Sequence, residues 1–167
     1  KIEKILILGR RTFNIQVYPF SFSEYITYFN QKDVFDTLIT RDIIQKYNIK
    51  NTALLEKLNN FLLDNISSEI SARKIADVLT NNKDTVNHKT ISSYLSYLCN
   101  AFSFYKVRRY DIHGKKYLAS QDKYYLADHS FKYAKHGTKN LDYGKIYENI
   151  VCMELLRRGY EVYTGVL

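Results

Sequence analysis

Between residues 52 and 102 the chain writes a helical stripe three times, and this constrains its fold more than any other feature. "TALLEKLNNFLLD" (52–64) sets Leu54, Leu55, Leu58, Phe61 and Leu62 at the i, i+1, i+4, i+7, i+8 spacing of a core-facing side. In "SARKIADVL" (71–79) Ser71 is the expected cap, Ile70 and Ile75 are placed to staple across it, and Ile75, Val78 and Leu79 are expected inward. After the polar loop "TNNKDTV", the stretch "NHKTISSYLSYLCNAF" (87–102) puts Ile91, Leu95, Leu98 and Phe102 on one side and Lys89, Ser93, Ser96 and Asn100 on the other. Helix, short helix, polar loop and longer amphipathic helix is the order of a helix-turn-helix unit.

The period then changes from helical to alternating. "SFYKVRRY" (103–110) sets Tyr105 and Val107 against Lys106 and Arg108, "DIHG" offers Gly114 for a turn, and "KKYLASQDKYYLA" (115–127) can return as the partner strand. Three helices followed by a hairpin predict an α+β, mainly helical fold with a winged helix-turn-helix core. The charge bears on this. Across the chain 25 Lys and Arg exceed 17 Asp and Glu by 8. Residues 106–123 carry six cations (Lys106, Arg108, Arg109, Lys115, Lys116, Lys123) against Asp111 and Asp122, so 6 minus 2 places 4 of that 8 in the hairpin. A localised basic excess suits a polyanionic partner, because neutralised phosphates release counterions.

The flanks read differently. Residues 1–18 hold two β-like runs, 5–8 and 12–18, joined through Gly9, Arg10 and Arg11; "PFSFSEY" then offers Ser21 and Glu24 as a capping box, with Phe20 and Tyr25 as its staple. Residues 33–47 form another helical pattern, with Val34, Leu38, Ile39 and Ile43 on one face. Residues 143–158 predict a last helix, with Ile146, Ile150 and Met153 inward and Gly159 as its stop, and "YEVYTGVL" opens a strand. A lone helix and strand cannot bury their own faces, so this tail reads as the opening of a further domain. Cys99 and Cys152 sit in apolar helical patterns without a C-x-x-C partner, as buried thiols of a reducing, cytoplasmic compartment do. "KILIL" is too short to span a bilayer and has no small-residue cleavage site, so no membrane partner is expected.

Motifs that carry chemistry are sparse. There is no G-x-x-x-x-G-K-S/T cradle and no G-x-G-x-x-G turn, so no cofactor-binding residue is assigned in this chain. His88, His113, His129 and His136 form no metal-ligand pattern, and no Ser or Cys has a base at an informative spacing; the expected metal set is none. Glu148 lies on an otherwise apolar helix beside a strand start, a place that suits either a catalytic carboxylate or a surface ion pair. Arg10 and Arg11, between two β-like runs, suit either a solvated strand end or a cation reaching a neighbouring subunit's phosphate.

Six ordered blocks, "GRRTFNIQVYPFSFSEY", "RDIIQKYNIKN", "FLLDNISSEISARKIADVL", "KTISSYLSYLCNAF", "VRRYDIHGKKYLASQDKYYLAD" and "YGKIYENIVCMELLRRGYEVYTG", resemble a prokaryotic family of AAA+ ATPases. In that family an ATPase core is followed by a winged-helix region and a restriction-endonuclease-like domain, long catalogued as a domain of unknown function. The resemblance implies that residues 1–30 end the ATPase core, 31–50 form a lid or connecting helix, 51–135 the winged helix, and 136–167 the start of the nuclease-like domain. It implies Arg11 as the arginine finger, with Arg10 the second choice, and Glu148 as the recurrent nuclease-like glutamate. ATP and magnesium are implied for the longer protein rather than for this fragment, and the phosphate loop and the remaining nuclease carboxylates are absent from the sequence. The lid turn expected between "FSEY" and "RDII" is also missing, which predicts a chain junction near residues 32–33.

The expected activity is therefore DNA engagement. Lys89, Ser93 and Ser96 face a groove while Arg108, Arg109, Lys115 and Lys116 contact phosphate. Other domains of the same chain, and a homo-oligomer through the ATPase core, are the expected protein partners. A winged helix used for protein or interdomain contacts, and an independent transcriptional regulator, are the alternative readings.

Overall fold

The three stripes become helices whose starts are capped by side chains, Ser71 as expected and Asn51 and Asn87 in addition. In the computed structural model, which describes residues 4–8, 11–15, 38–80, 85–111, 116–117, 121–136 and 142–166, α2 (Thr52–Asp64) starts where Asn51 Oδ1 accepts the Leu54 N–H at 3.0 Å. Helix α3 (Ala72–Leu79) starts where Ser71 Oγ accepts from the Lys74 N–H, and α4 (His88–Asn100) where Asn87 Oδ1 accepts from the Lys89 N–H. Each cap satisfies an N–H that has no partner inside its helix. Leu55, Leu58, Leu62, Ile75, Ile91, Leu95 and Leu98 form the core between them.

Two expected core positions differ. Val78 is 57% exposed, because the short α3 turns only Ile75 and Ala76 fully inward. Phe102 lies beyond the end of α4, where its positive φ of 56° reverses the chain and lets the Ser103 N–H reach back to the Leu98 carbonyl. Ahead of α2, the described part of the expected helix over 33–47 is α1 (Leu38–Gln45), wound as a π-helix. The Ile49 N–H reaches the Ile44 carbonyl five residues back, and Asn48, at φ 47°, ends the turn.

A three-stranded antiparallel sheet closes the bundle. Its order is β3 (Glu69–Ile70), β7 (Asp122–Leu126), β4 (Phe104–Val107). Phe104 pairs with Leu126 and Val107 with Lys123. The hairpin is interrupted at Arg108, and β5 (Arg109–Asp111) and β6 (Lys116–Tyr117) form a separate ladder. Further upstream, β1 (Lys4–Leu8) and β2 (Arg11–Ile15) make an antiparallel pair with Lys4 opposite Ile15. The expected capping box at Ser21 and Glu24, the Gly114 turn and the junction near 32–33 lie outside the described residues.

The tail packs onto this unit. After α5 (Ser130–His136), α6 (Tyr143–Arg157) crosses the sheet, and β8 (Thr164–Val166) pairs parallel with β5, Arg109 opposite Thr164. Strand β7 is thereby covered on both faces. Tyr124 and Leu126 join the helical core, while Tyr125 packs with Val107, Tyr105, Cys152, Met153, Leu156 and Val162. The inward line of α6 is Ile146, Asn149 and Cys152, so Ile150, expected inside, is exposed. Gly159, at φ 84°, ends this helix as expected.

Asn149 completes the free edge of β7. Its Oδ1 accepts the Leu126 N–H at 2.7 Å and its Nδ2 donates to the Leu126 carbonyl at 2.9 Å, so one side chain takes the place of a neighbouring strand. Ser67 covers the same edge two residues earlier, donating its N–H to the Tyr124 carbonyl and its Oγ–H to the Lys145 carbonyl. Replacing the amide leaves a buried N–H and C=O unpaired, each costing about 1–3 kcal/mol. Asn149→Leu is therefore expected to destabilise the chain by roughly 2–5 kcal/mol, read as a lower urea midpoint, and an unchanged midpoint would remove the clamp from this account.

Candidate nucleic-acid interface

The polar side of α4 is uncovered. Lys89, Ser93, Ser96 and Asn100 are all exposed, opposite buried Ile91, Leu95 and Leu98. Ser93 donates its hydroxyl to the Lys89 carbonyl at 3.1 Å, and Ser96 donates to that of Ser92 at 3.0 Å. With their protons turned into the helix, both oxygens present lone pairs outward, the complement of a base amino group. The far end of α4 is held by the turn after α1: Tyr47 stacks on Tyr97 at 3.8 Å between ring centroids, and Asn100 Nδ2 donates to the Tyr47 hydroxyl at 3.4 Å.

Beside α4 lies a groove. Ser71 and Ala72, at the start of α3, face Ser92, Ser96 and Asn100 across a cavity of about 370 Å³, closed on the sheet side by Lys106, Asp122 and Tyr124. Cys99 also lines it, its thiol pushed up to about 11 mainly by burial, so it is neutral. Burial likewise raises the Tyr124 hydroxyl.

The hairpin is less available to phosphate than its composition suggests. Lys106 Nζ pairs with Asp122 at 2.7 Å, Arg109 Nη1 with Glu69 at 3.2 Å, and Lys123 Nζ with Glu148 at 2.7 Å. Two of those carboxylates come from outside the hairpin, so a count confined to residues 106–123 overstates its free charge. Arg109, expected on phosphate, is half-buried and ties β5 to β3. Arg108 is exposed at the strand break, its carbonyl accepting the Thr164 N–H. Lys116 is in β6 opposite Asp111; its side chain and all of Lys115 lie outside the described residues.

Glu148 is a fastener rather than an inner residue of α6. It is 42% exposed at its side chain, and its Oε1 accepts from both Lys123 Nζ and the Tyr125 hydroxyl at 2.7 Å. The Tyr125 hydroxyl is raised by burial first and by this carboxylate second. Arg11 opens β2 opposite Leu8, with its side chain outside the described residues, as is Arg10. Among the described residues no group of three His, Cys, Asp or Glu side chains converges on a metal position. No helix there is long and apolar enough to cross a membrane. Asn149 was missed in the sequence; its one signal is a polar residue spaced three from both Ile146 and Cys152.

Fold and surface together define an α+β, mainly helical unit that presents an exposed polar helix beside a groove and a cross-linked hairpin. The chain belongs to the family described as "Domain of unknown function (DUF8612)", whose model matches residues 17–142, ending one residue before α6 begins. It is similar to an uncharacterised protein of Haemophilus influenzae, 40% identical over 134 residues, which cover 80% of this chain and 34% of that protein. It is also similar to an uncharacterised protein of Methanocaldococcus jannaschii, 30% identical over 129 residues, which cover 77% of this chain and 28% of that one. The chain thus spans about a third of the length of these curated relatives. No solved structure matches it.

The buried hydroxyls and thiols set a pH dependence. Cys99 and Cys152, both raised to about 11 by burial, and the raised Tyr124 and Tyr125 keep their protons where an unfolded chain releases them, from about pH 9 for the thiols. Unfolding then releases protons, so stability is full below that range and falls as pH rises through it. The thermal midpoint is expected to drop between about pH 8 and about pH 11, less steeply in Tyr125→Phe. A midpoint that rises over that range contradicts this assignment.

Proposed function

We propose that residues 52–126 form a winged helix-turn-helix that engages duplex DNA through α4, as part of a longer AAA+ ATP-binding protein. The observation that carries the reading is topological. Three capped helices, with β3 between the first and the second, pack on a sheet ordered β3, β7, β4, and the third helix leaves its polar side uncovered. That order matches the winged variety of helix-turn-helix, in which the third helix enters the major groove. Lys89 contacts phosphate at the start of α4, Ser93 and Ser96 meet base edges, and Arg108, Lys115 and Lys116 supply the outer hairpin's contacts. In the longer protein ATP and magnesium bind outside this chain, Arg11 acts as the finger on a neighbouring subunit's nucleotide, and hydrolysis moves the DNA-binding unit.

One observation favours a second reading. Tyr143, Tyr147, Val151 and Leu155 recur every fourth residue on the outer side of α6, and all four are exposed. Such a stripe suits contact with another protein surface, which would make this unit an interaction module.

Duplex binding separates the two. Neutralising about five phosphates is expected to give a log–log salt slope of roughly −4 to −5, and Lys89→Ala is expected to reduce both affinity and slope, by about one phosphate. Binding that is absent or independent of salt would favour the interaction reading.

A further inference from the structure

The ion pairs of the hairpin leave the question of which cations reach phosphate. Lys106 and Lys123 are each held at 2.7 Å by a carboxylate, and Arg109 is half-buried against Glu69. Moving any of them to a phosphate exchanges one ion pair for another and releases little net counterion. The first turn of α3 is different. Arg73 and Lys74 are adjacent and exposed, and among the described residues no carboxylate forms an ion pair with either, Asp77 on the next turn included.

Their position is fixed by the groove. Ser71 and Ala72 form one wall of the cavity whose opposite wall is Ser92, Ser96 and Asn100 of α4. Helix α3, whose start lines this groove, continues directly into Arg73 and Lys74, so two exposed cations stand on the helix that forms one wall, while Lys89 stands at the start of the helix that forms the other. A duplex lying against α4 carries a phosphate row along each rim of its groove, and one rim meets this turn. Two full side-chain charges suffice for the attraction. The helix terminus is not needed, since Ser71 Oγ already accepts the Lys74 N–H.

We infer that Arg73 and Lys74 are the principal phosphate-contacting residues of this surface, ahead of Lys106, Arg109 and Lys123. The inference rests on the DNA reading above and adds to it a different electrostatic footprint.

The test uses the whole chain and one labelled duplex titrated across a range of salt. Arg73→Gln combined with Lys74→Gln is expected to weaken binding about tenfold at low salt and to reduce the slope by about 2, one for each lost phosphate contact. Arg73→Lys with Lys74→Arg, which keeps both charges, is expected to stay within about twofold of the parent chain, and so is Lys106→Gln, which removes a paired cation. Thermal midpoints equal to the parent's show that the exposed substitutions act on binding and not on folding. If the parent binds and the Gln pair binds with unchanged affinity and slope, this inference is overturned while the DNA reading stands. If the parent binds no duplex, both fall.

Discussion

Strand β7 is the element on which the rest of the structure depends. Its five residues join everything: β4 lies on one side, β3 on the other, the helical core beneath Tyr124 and Leu126, and α6 above Tyr125. Only two residues of β3 pair with it, so most of that edge would be left with unpaired backbone groups. Buried N–H and C=O groups have to be satisfied. Here Ser67 and Asn149, from a turn and a helix, supply the missing partners. The clamp is double, because the same turn also bonds the backbone of α6 through Ser67 Oγ. A two-stranded hairpin is marginal by itself; held at this edge and covered on both faces, this one becomes part of a core.

The same helix decides where charge is available. Glu148 sits one residue before Asn149 and takes Lys123 out of the basic excess, while Glu69, one residue before Ile70 of β3, does so for Arg109. Exposed ion pairs of this kind add little to stability. Their larger effect is on recognition, since a cation that already has a carboxylate gains less from a phosphate. The hairpin therefore combines a basic composition with a largely neutralised inner half. Among the described residues, cations without an ion-pair partner are instead found on the exposed first turn of α3, at Arg73 and Lys74.

The helices were legible in the sequence because their signals are local. Asn51, Ser71 and Asn87 each cap the helix whose start the apolar spacing marks, and α2 covers the span of its stripe. The structure departs from the stripe near the ends of α3 and α4, at Val78 and Phe102, and in α6 at Ile150, where the buried line runs through Asn149 instead. What could not be read is nonlocal. Arg109 and Glu69 are 40 residues apart, and Lys123 and Glu148 are 25 apart; neither spacing corresponds to a helix or strand period. Asn149 was invisible for a related reason: a hydrophobic pattern assigns an amide to the surface, whereas here its two hydrogen-bonding groups match one residue of a strand edge. The parallel pairing of β8 with β5 likewise depends on the path of α6, which no local period encodes.

On the proposed DNA reading, these constraints limit how the unit can meet a duplex. The inner half of the hairpin is packed below against the helices and above against α6, so it cannot bend toward a partner without giving up core contacts. Its outer half is bordered by β8, which occupies the β5 edge away from β6. Of the elements around the groove, α4 is buried on one side only, and its polar side needs no rearrangement to be reached. The π-stacked Tyr47 and Tyr97 and the Asn100 hydrogen bond fix its far end against the turn that follows α1. A preformed, rigid helix loses little conformational entropy on docking. If the unit engages a duplex as proposed, α4 and the neighbouring start of α3 are the surfaces that meet it without rearrangement, and the hairpin's contribution is confined to the strand break at Arg108 and the outer strands.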